Sequence, residues 1–354
     1  AETGDRTESP LSFVTATFAT PTGPVRRVRH EWTWRDWAGA LKMRLAIGRM
    51  SYAVPPGLYA SGNPSDESPV LVTGNYKLTL DHLRRAIRGV DAWLLVLDTR
   101  GINVWCAAGK GTFGTAELIN RIATCRLSEL VTHRTVVLPQ LGAPGVAAHQ
   151  VLAGSGFRVV YGPVRAADLP EFLAAGMRAT DAMRTVTFRL SERMAVVPVE
   201  IVHWAGWLVG MVAGCSIAAA VGAGDYSWRG GAASAIRLLI AFGGGLVLGP
   251  ALFPWLPGRA FAAKGVFAGI PALAIMAAAG LLPLATLTQK MQGAGWVLVT
   301  LGLSSFLMLG YTGSSPCTSF SGTLRETRIG VRLQCAAGAA GLLLLILPVL
   351  IGRG

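Results

Sequence analysis

The chain has 354 residues, 52% of them hydrophobic and only 14% charged, whereas an ordinary soluble domain carries roughly a quarter of its residues as Asp, Glu, Lys and Arg. A simple soluble protein is excluded. Cut at Pro198, the sequence holds 23 Lys and Arg and 16 Asp and Glu before that point, but 9 and 3 after it. A charged regime long enough for its own core is therefore followed by one that requires lipid.

The formal net charge of +13 divides as +7 and +6 between the two regimes, without the contiguous basic stripe of a nucleic-acid binder. It matches the basic bias of a membrane protein's cytoplasmic loops, and no nucleic acid is expected as a partner. The five cysteines (Cys106, Cys125, Cys215, Cys317 and Cys335) are odd in number and none lie at CxxC spacing. That excludes a disulfide framework and an encoded zinc or iron–sulfur site, and favours a reducing compartment. No basic-then-apolar leader occurs in the first thirty positions, and the opening at Ala1 reads as a trimmed start.

Residues 1–50 read as an N-terminal tail with a possible amphipathic helix. Its first 25 positions are polar and rich in Thr and Pro. In RRVRHEWTWRDWAGALKMRLAIGRM, Trp34, Trp37, Ala38, Leu41 and Leu45 fall at helical spacing, with Arg35, Lys42, Arg44 and Arg49 around them. Two readings stand: a basic helix lying in a headgroup layer, or a helix packed on the soluble domain.

Over residues 51–190, PVLVT, LTLDHLRRAI, AWLLVLD, TAELINRIATC, TVVLP, GVAAHQVLA, FRVVYG and LPEFLAAG alternate strand-like and helix-like patterns. The alternation predicts an α/β domain with a Rossmann-like parallel sheet wrapped by helices. Ligands of such folds bind outside the carboxyl ends of the strands. Those ends gather Thr73, Gly74 and Asn75, then residues 98–101, then Gln140, Leu141 and Gly142 with Gly145 and Val146 nearby, and lastly Tyr161, Gly162 and Pro163. Gly and Pro there let a backbone approach a bulky ligand, although ordinary turns have a similar composition.

Residues 191–198 read as a linker and 199–354 as an all-α transmembrane bundle. Apolar runs at 199–221, 234–253, 266–287, 295–311 and 335–351 each approach the roughly 20 residues of a bilayer span. With the N-terminal domain inside, Arg259, Lys264, Arg325, Arg328 and Arg332 lie on the cytoplasmic side, against Arg229, Lys290 and Arg353 outside. The excess favours a cytoplasmic-membrane protein with its soluble domain facing the cytoplasm. Arg237 falls inside the second run, so it either snorkels to an interface or turns into the bundle. The small residues of GMVAG and FGGGLVLG suit close helix packing.

The segment GINVWCAAGKGTFGTAEL, residues 101–118, carries the most information. It contains GxGxxG at Gly109, Gly111 and Gly114, with Glu129 about 20 residues on, the formal dinucleotide fingerprint. The context disagrees, because the preceding strand ends at Asp98, well before Gly109, instead of running directly into the glycine turn. A phosphate-binding P-loop fails because Val104 stands where its first glycine belongs. Taken alone, Cys106 also reads as a small buried hydrophobe.

NVWCAAGK, residues 103–110, resembles the cap-helix motif of the mercury-methylating corrinoid protein family (HgcA), which is related in its soluble domain to the small subunit of the corrinoid iron–sulfur protein. PGLYASGNPSDESPVLVTGNYKLTLDHLRR, WLLVLDTRGINVWCAAGKGTFGTAEL, VVLPQLGAPGVAAH, GFRVVYGPVRAADLP and the TGSSPCTSFSG loop resemble that family in order and spacing, from about Tyr52 onward. The resemblance implies a cobalamin or related corrinoid held base-off, with Cys106 as the lower axial ligand of its cobalt and the catalytic residue. A thiolate is a soft, strong donor. Ala107, Ala108 and Gly109 would let the helix lie against the ring, Lys110 would favour the thiolate, and Asn103 would bond the amide fringe. Trp105 would pack the ring edge or anchor the helix. Val104 and Thr112, within and just beyond the cap, complete the expected contacts. The histidine-ligand motif DxHxxG is absent, and His82, His133 and His149 read as surface or core residues.

The implied reaction is methyl transfer from a methylcobalamin-type cofactor to Hg(II), giving methylmercury. The implied partner is a ferredoxin-like protein with two [4Fe-4S] clusters that donates electrons and carries mercury. Three rivals compete: a corrinoid methyl carrier of acetyl-CoA-pathway type, a membrane transporter with a regulatory nucleotide-binding domain, and a dinucleotide oxidoreductase. Against the first stand Cys106 and the apolar runs.

Overall fold

The computed structural model describes residues 11–222, 228–315 and 320–351. The chain divides into two compact units, Ala1–Met43 with Ile47–Val186, and Arg44–Ala46 with Thr187–Gly354.

The first unit is built on a seven-stranded mixed sheet. Its strands are β1 (Val14–Thr20), β2 (Gly23–Val28), β3 (Gly57–Ser61), β4 (Val70–Gly74), β5 (Ala92–Leu97), β6 (Thr135–Leu138) and β7 (Arg158–Tyr161), in the spatial order β1-β2-β3-β5-β4-β6-β7. The four strands expected from PVLVT, AWLLVLD, TVVLP and FRVVYG form its parallel half, with Thr73 opposite Val96 and Leu138 opposite Tyr161. Their near-continuous apolar runs follow from burial on both faces. In β4 and β5, Val70, Val72, Leu95 and Leu97 enter one core, while Leu71, Leu94 and Val96 enter the other.

Helices α1 (Trp34–Arg44), α2 (Lys77–Ala86), α3 (Val104–Lys110), α4 (Thr115–Thr124), α5 (Leu127–Leu130) and α6 (Ala148–Ser155) join the strands, and α7 (Leu169–Ala174) and α8 (Asp181–Arg184) follow the last one. Leu80 and Leu83 of α2 fill one core, and Val104 of α3 and Leu118 of α4 fill the other.

The polar-tail expectation fails from residue 14 onward; residues 1–10 lie outside the described part. There β1 and β2 form an antiparallel hairpin, and β2 lies parallel to β3, which pairs antiparallel with β5. Thr15, Thr17 and Thr20 are β-branched and suit a half-exposed edge strand, so polarity was the wrong discriminator.

The second unit begins with α9 (Leu190–Met194) and α10 (Val197–Gly222), so residues expected as a linker are largely helical. It continues with α11 (Trp228–Gly243), a π-helical turn at Gly244–Leu248, α12 (Gly249–Leu252), α13 (Phe261–Ala278), α14 (Leu287–Gly310) and α15 (Phe320–Ile351). Five helical segments among the described residues are long and apolar enough to cross a membrane.

Their ends differ from the expected runs because helix interiors absorb charge. Lys264 sits buried in α13, its ammonium donating to the Phe253 carbonyl at 2.9 Å. Arg325, Glu326, Arg328 and Arg332 lie in α15 instead of in a loop. The Glu326 carboxylate accepts the Ala262 N–H at the start of α13. Arg237 turns into protein, donating to the Leu281 carbonyl at 2.6 Å beneath the Trp296 ring. Close packing falls on FGGGLVLG, where a Cβ on Gly245 would stand 2.7 Å from Leu307, but not on GMVAG, where Gly210 and Gly214 face no atom within 4 Å. Cys317 and Arg353 lie outside the described residues.

Candidate functional site

β4 and β6 are neighbours, yet the chain leaves them in opposite directions, β4 toward β5 and β6 toward β7. The gap between their carboxyl ends is thus the topological switch point, where open α/β sheets place their ligands. A cavity of about 240 Å³ lies there. Its walls are Val72 and Thr73 of β4, Thr79, His82 and Leu83 of α2, Val137, Pro139 and Leu141 along β6 and beyond it, Pro163, Leu169, and Val104 at the start of α3. The lining is apolar except for Thr73, Thr79 and His82.

Helix α3 is short and fixed at both ends. The extended Asn103 caps it, its side-chain oxygen accepting the Cys106 N–H at 2.9 Å, and Gly111 closes it in the left-handed region at φ 79°. Val104, Ala107 and Ala108 form its buried face. Trp105 (37% exposed), half-buried Cys106 and exposed Gly109 and Lys110 form the outer one. Cys106 and Gly109 are three residues apart and so share a side of the helix. A Cβ on Gly109 would meet nothing within 4 Å, leaving the approach to the Cys106 sulfur bare on that side.

Several of the expected ligand contacts also hold the protein together. Ala107 and Ala108 face inward, because their small size lets α3 sit on the 3-10 turn Gln140–Gly145. A Cβ on Gly142 would stand 2.5 Å from the Phe113 ring, and one on Gly145 would stand 2.0 Å from the Phe113 carbonyl oxygen and 3.0 Å from the Ala108 Cα. Gly74 lies similarly against Thr99 and Gly162 against Val137. These glycines are spent on internal packing, and the oxygen of Asn103 on its cap. Asn75 is buried, its side-chain oxygen accepting the N–H groups of Thr99 (3.0 Å) and Gly101 (2.9 Å), so it shapes the loop that leads into α3.

The remaining predicted residues ring the same end of the sheet. The Gln140 side-chain oxygen accepts from Arg184 (3.1 Å), and the Tyr161 hydroxyl donates to the carbonyl of buried Val146 (2.8 Å). Burial pushes the Tyr161 hydroxyl above its usual pKa. The Thr112 N–H donates to the Ala107 carbonyl at 3.0 Å. Thr73, Val104, Leu141 and Pro163 line the cavity.

The α2 wall of that cavity, Thr79, His82 and Leu83, was not anticipated. Its signal was that α2 starts only three residues after β4, so its first turns must pass the switch point. His82 is exposed, with its ring 5.1 Å from that of Trp32.

Residues 45–172 match the family model described as CO dehydrogenase/acetyl-CoA synthase delta subunit. The chain is similar to acetyl-CoA decarbonylase/synthase complex subunit gamma of Methanopyrus kandleri, 35% identical over 122 residues, which is 34% of this chain and 26% of that protein. It is also similar to the gamma subunit of Methanothermobacter thermautotrophicus, 32% identical over 127 residues (35% and 27%), and to that of Methanosarcina acetivorans, 39% identical over 100 residues (27% and 21%). The chain thus spans about a quarter of the length of these curated relatives. The matched residues include the switch point, the cavity and α3.

Proposed function

We propose that the chain is a membrane-anchored, corrinoid-dependent methyltransferase whose Cys106 serves as the lower axial ligand of cobalt. The observation that carries this reading is the pairing of Cys106 with a bare Gly109 on the outer face of α3, at the switch point of the sheet. Similarity to subunits of the acetyl-CoA decarbonylase/synthase complex supports methyl transfer on a corrinoid.

The residues present fit such a group in two respects. At Gly109, on the sulfur's side of α3, no side chain holds off a broad planar ring, and the cavity beside the helix offers a mainly apolar slot for a nucleotide tail withdrawn from the metal. When bound, the corrinoid supplies a cobalt-borne methyl group, which a thiolate donor helps release with its bonding electron pair. Asn103 holds the first turn of α3 and so fixes where the sulfur stands. Thr73, Thr79 and His82 offer hydrogen bonds within the slot, and Lys110 provides a positive charge one turn beyond the thiol.

For the methyl acceptor we assign Hg(II), on the resemblance of NVWCAAGK and of the apolar region to the mercury-methylating family. The second reading is a methyl carrier of acetyl-CoA-pathway type, and the names of the curated relatives favour it. The two share the residues that would hold the corrinoid and differ in the acceptor and in where the bonding pair goes: it leaves with the methyl toward Hg(II), and it stays on the metal when the acceptor supplies its own electron pair. With Hg(II) as acceptor the electrons that restore the reduced metal come from outside, since the cysteines lack cluster spacing. We assign that task, and mercury delivery, to a ferredoxin-like protein with two [4Fe-4S] clusters. The soluble unit is assigned to the cytoplasmic face of the inner membrane.

The deciding experiment loads the purified chain with methylcobalamin and a low-potential reductant and offers Hg(II) or an acetyl-CoA synthase in turn. Methylmercury formation supports the first acceptor, and methyl transfer to the synthase alone supports the second. A colourless protein that takes up no corrinoid overturns both.

A further inference from the structure

Helix α1 exposes what soluble helices usually hide. Trp34 is 74% exposed, Trp37 55% and Leu41 58%, and at spacings of three and four they share one side of the helix. Arg35 and Lys42 beside them are exposed as well. The Arg85 guanidinium, from α2, lies 5.4 Å from the ring centres of both Trp32 and Trp37. An apolar aromatic stripe is therefore rimmed by cations.

The stripe is held rigidly. On the opposite side of α1, the buried Asp36 carboxylate meets the Lys77 ammonium at 2.8 Å and the Arg84 guanidinium at 3.0 Å. A Cβ on Gly39 would stand 2.0 Å from the Tyr52 hydroxyl, so α1 lies flush on its support. A rigid, exposed patch of this composition marks an interaction surface.

We infer that this face of α1 docks into the headgroup layer of an anionic bilayer. Tryptophan with Arg and Lys is the composition of membrane interfaces, where the rings sit among headgroups and the cations meet phosphate. The same chain also keeps the bilayer within reach. In sequence, the first unit ends at Val186 and the segment at Leu190–Ala218, long and apolar enough to cross a membrane, follows almost at once. A protein partner would gain from the aromatic stripe, but the rim of Arg35, Lys42 and Arg85 adds attraction specific to a negative surface.

The test is hydroxyl-radical footprinting of the full chain, read by mass spectrometry at Trp34 and Trp37 with Trp105 as internal reference. Samples in phosphatidylglycerol nanodiscs, phosphatidylcholine nanodiscs and detergent are compared. Oxidation of both tryptophans should be lowest in phosphatidylglycerol. Arg35→Glu with Lys42→Glu, both at exposed positions, should reverse that protection by about fivefold for each cation lost. Equal oxidation in all three media overturns the proposal. So does equal protection in the two lipids, or protection that appears only when an iron–sulfur protein is added.

Discussion

The side-chain oxygen of Asn103 accepts the backbone N–H of Cys106 at 2.9 Å, so the residue that starts α3 also fixes the position of the thiol. Asn103→Ala removes the cap and should cost about 1 kcal/mol. Asn103→Asp keeps the acceptor and should retain most of it. Hydrogen exchange at residues 104–110 reads the fraying directly, and methyl-transfer activity should fall in parallel in the alanine variant. An alanine variant with unchanged exchange and unchanged activity would remove Asn103 from the positioning of Cys106.

Cys106→Ala tests the proposed ligand role. The side chain is half-buried on the outer face of α3 and the change favours helix, so stability should stay within about 0.5 kcal/mol of wild type. Methyl transfer should be lost while corrinoid remains bound through the cavity. Cys106→His restores a donor of weaker electron release, and should return the absorption spectrum of a ligated cobalt without restoring the rate. Near wild-type transfer by the alanine variant would end the assignment.

Glycines of the site should separate into two classes. Gly145→Ala drives a Cβ to 2.0 Å from the Phe113 carbonyl and should destabilise the first unit by about 1–3 kcal/mol. Gly109→Ala meets open space and should gain up to about 1 kcal/mol from helix propensity. Gly109→Leu should leave the fold intact yet release corrinoid, because its side chain occupies the approach to the sulfur. Thermal unfolding and the visible absorbance of the purified variants distinguish the classes.

The buried Asp36 gives the first unit an acid limit. Burial alone would raise its carboxyl pKa, but hydrogen bonds from Lys77 and the Thr33 N–H, with the charges of Lys77 and Arg84, hold it well below the usual carboxylate range. A depressed folded pKa contributes stability that is fully present above the unfolded value of about 3.9 and is lost as pH falls below it. The protection factors of the α1 amides, which correct for the intrinsic slowing of exchange in acid, should therefore fall below about pH 4. Asp36→Asn leaves Lys77 and Arg84 short of a buried counter-charge and should cost about 3 kcal/mol near neutrality. Its own acid dependence below about pH 4 should be flatter.

The parallel half of the sheet was legible because β4, β5 and β6 are buried on both faces and therefore read as nearly uninterrupted apolar runs, while the edge strand β7 still carries the apolar Val159, Val160 and Tyr161 after its exposed Arg158. The β1–β2 hairpin was not, since an edge strand written as VTATFAT needs only one apolar side, and Thr looks like tail until its β-branching is weighed. Cys106 stood out through its motif. The tasks of its neighbours did not, because sequence cannot say which side of a seven-residue helix faces inward. The small size of Ala107, Ala108, Gly142 and Gly145 makes room for Phe113 and for α3 itself, a use that residue type alone does not separate from room for a ligand. In α13 and α15 charge lies inside a helix and not at the end of a span, because the Phe253 carbonyl accepts from Lys264 and the Ala262 N–H donates to the Glu326 carboxylate.

Val104 belongs to two places at once, being a wall of the cavity at the switch point and the first residue of α3. Whatever fills that slot presses on the helix two residues from the thiol. If one corrinoid spans slot and sulfur, as proposed, the coupling between them must run both ways: an occupant that orders α3 would strengthen whatever Cys106 holds, and a ligand on Cys106 would tighten the slot by the same factor. A tailless corrinoid should thus sit more loosely on the sulfur than a complete one, by an amount equal to the loss in tail affinity when Cys106 is removed.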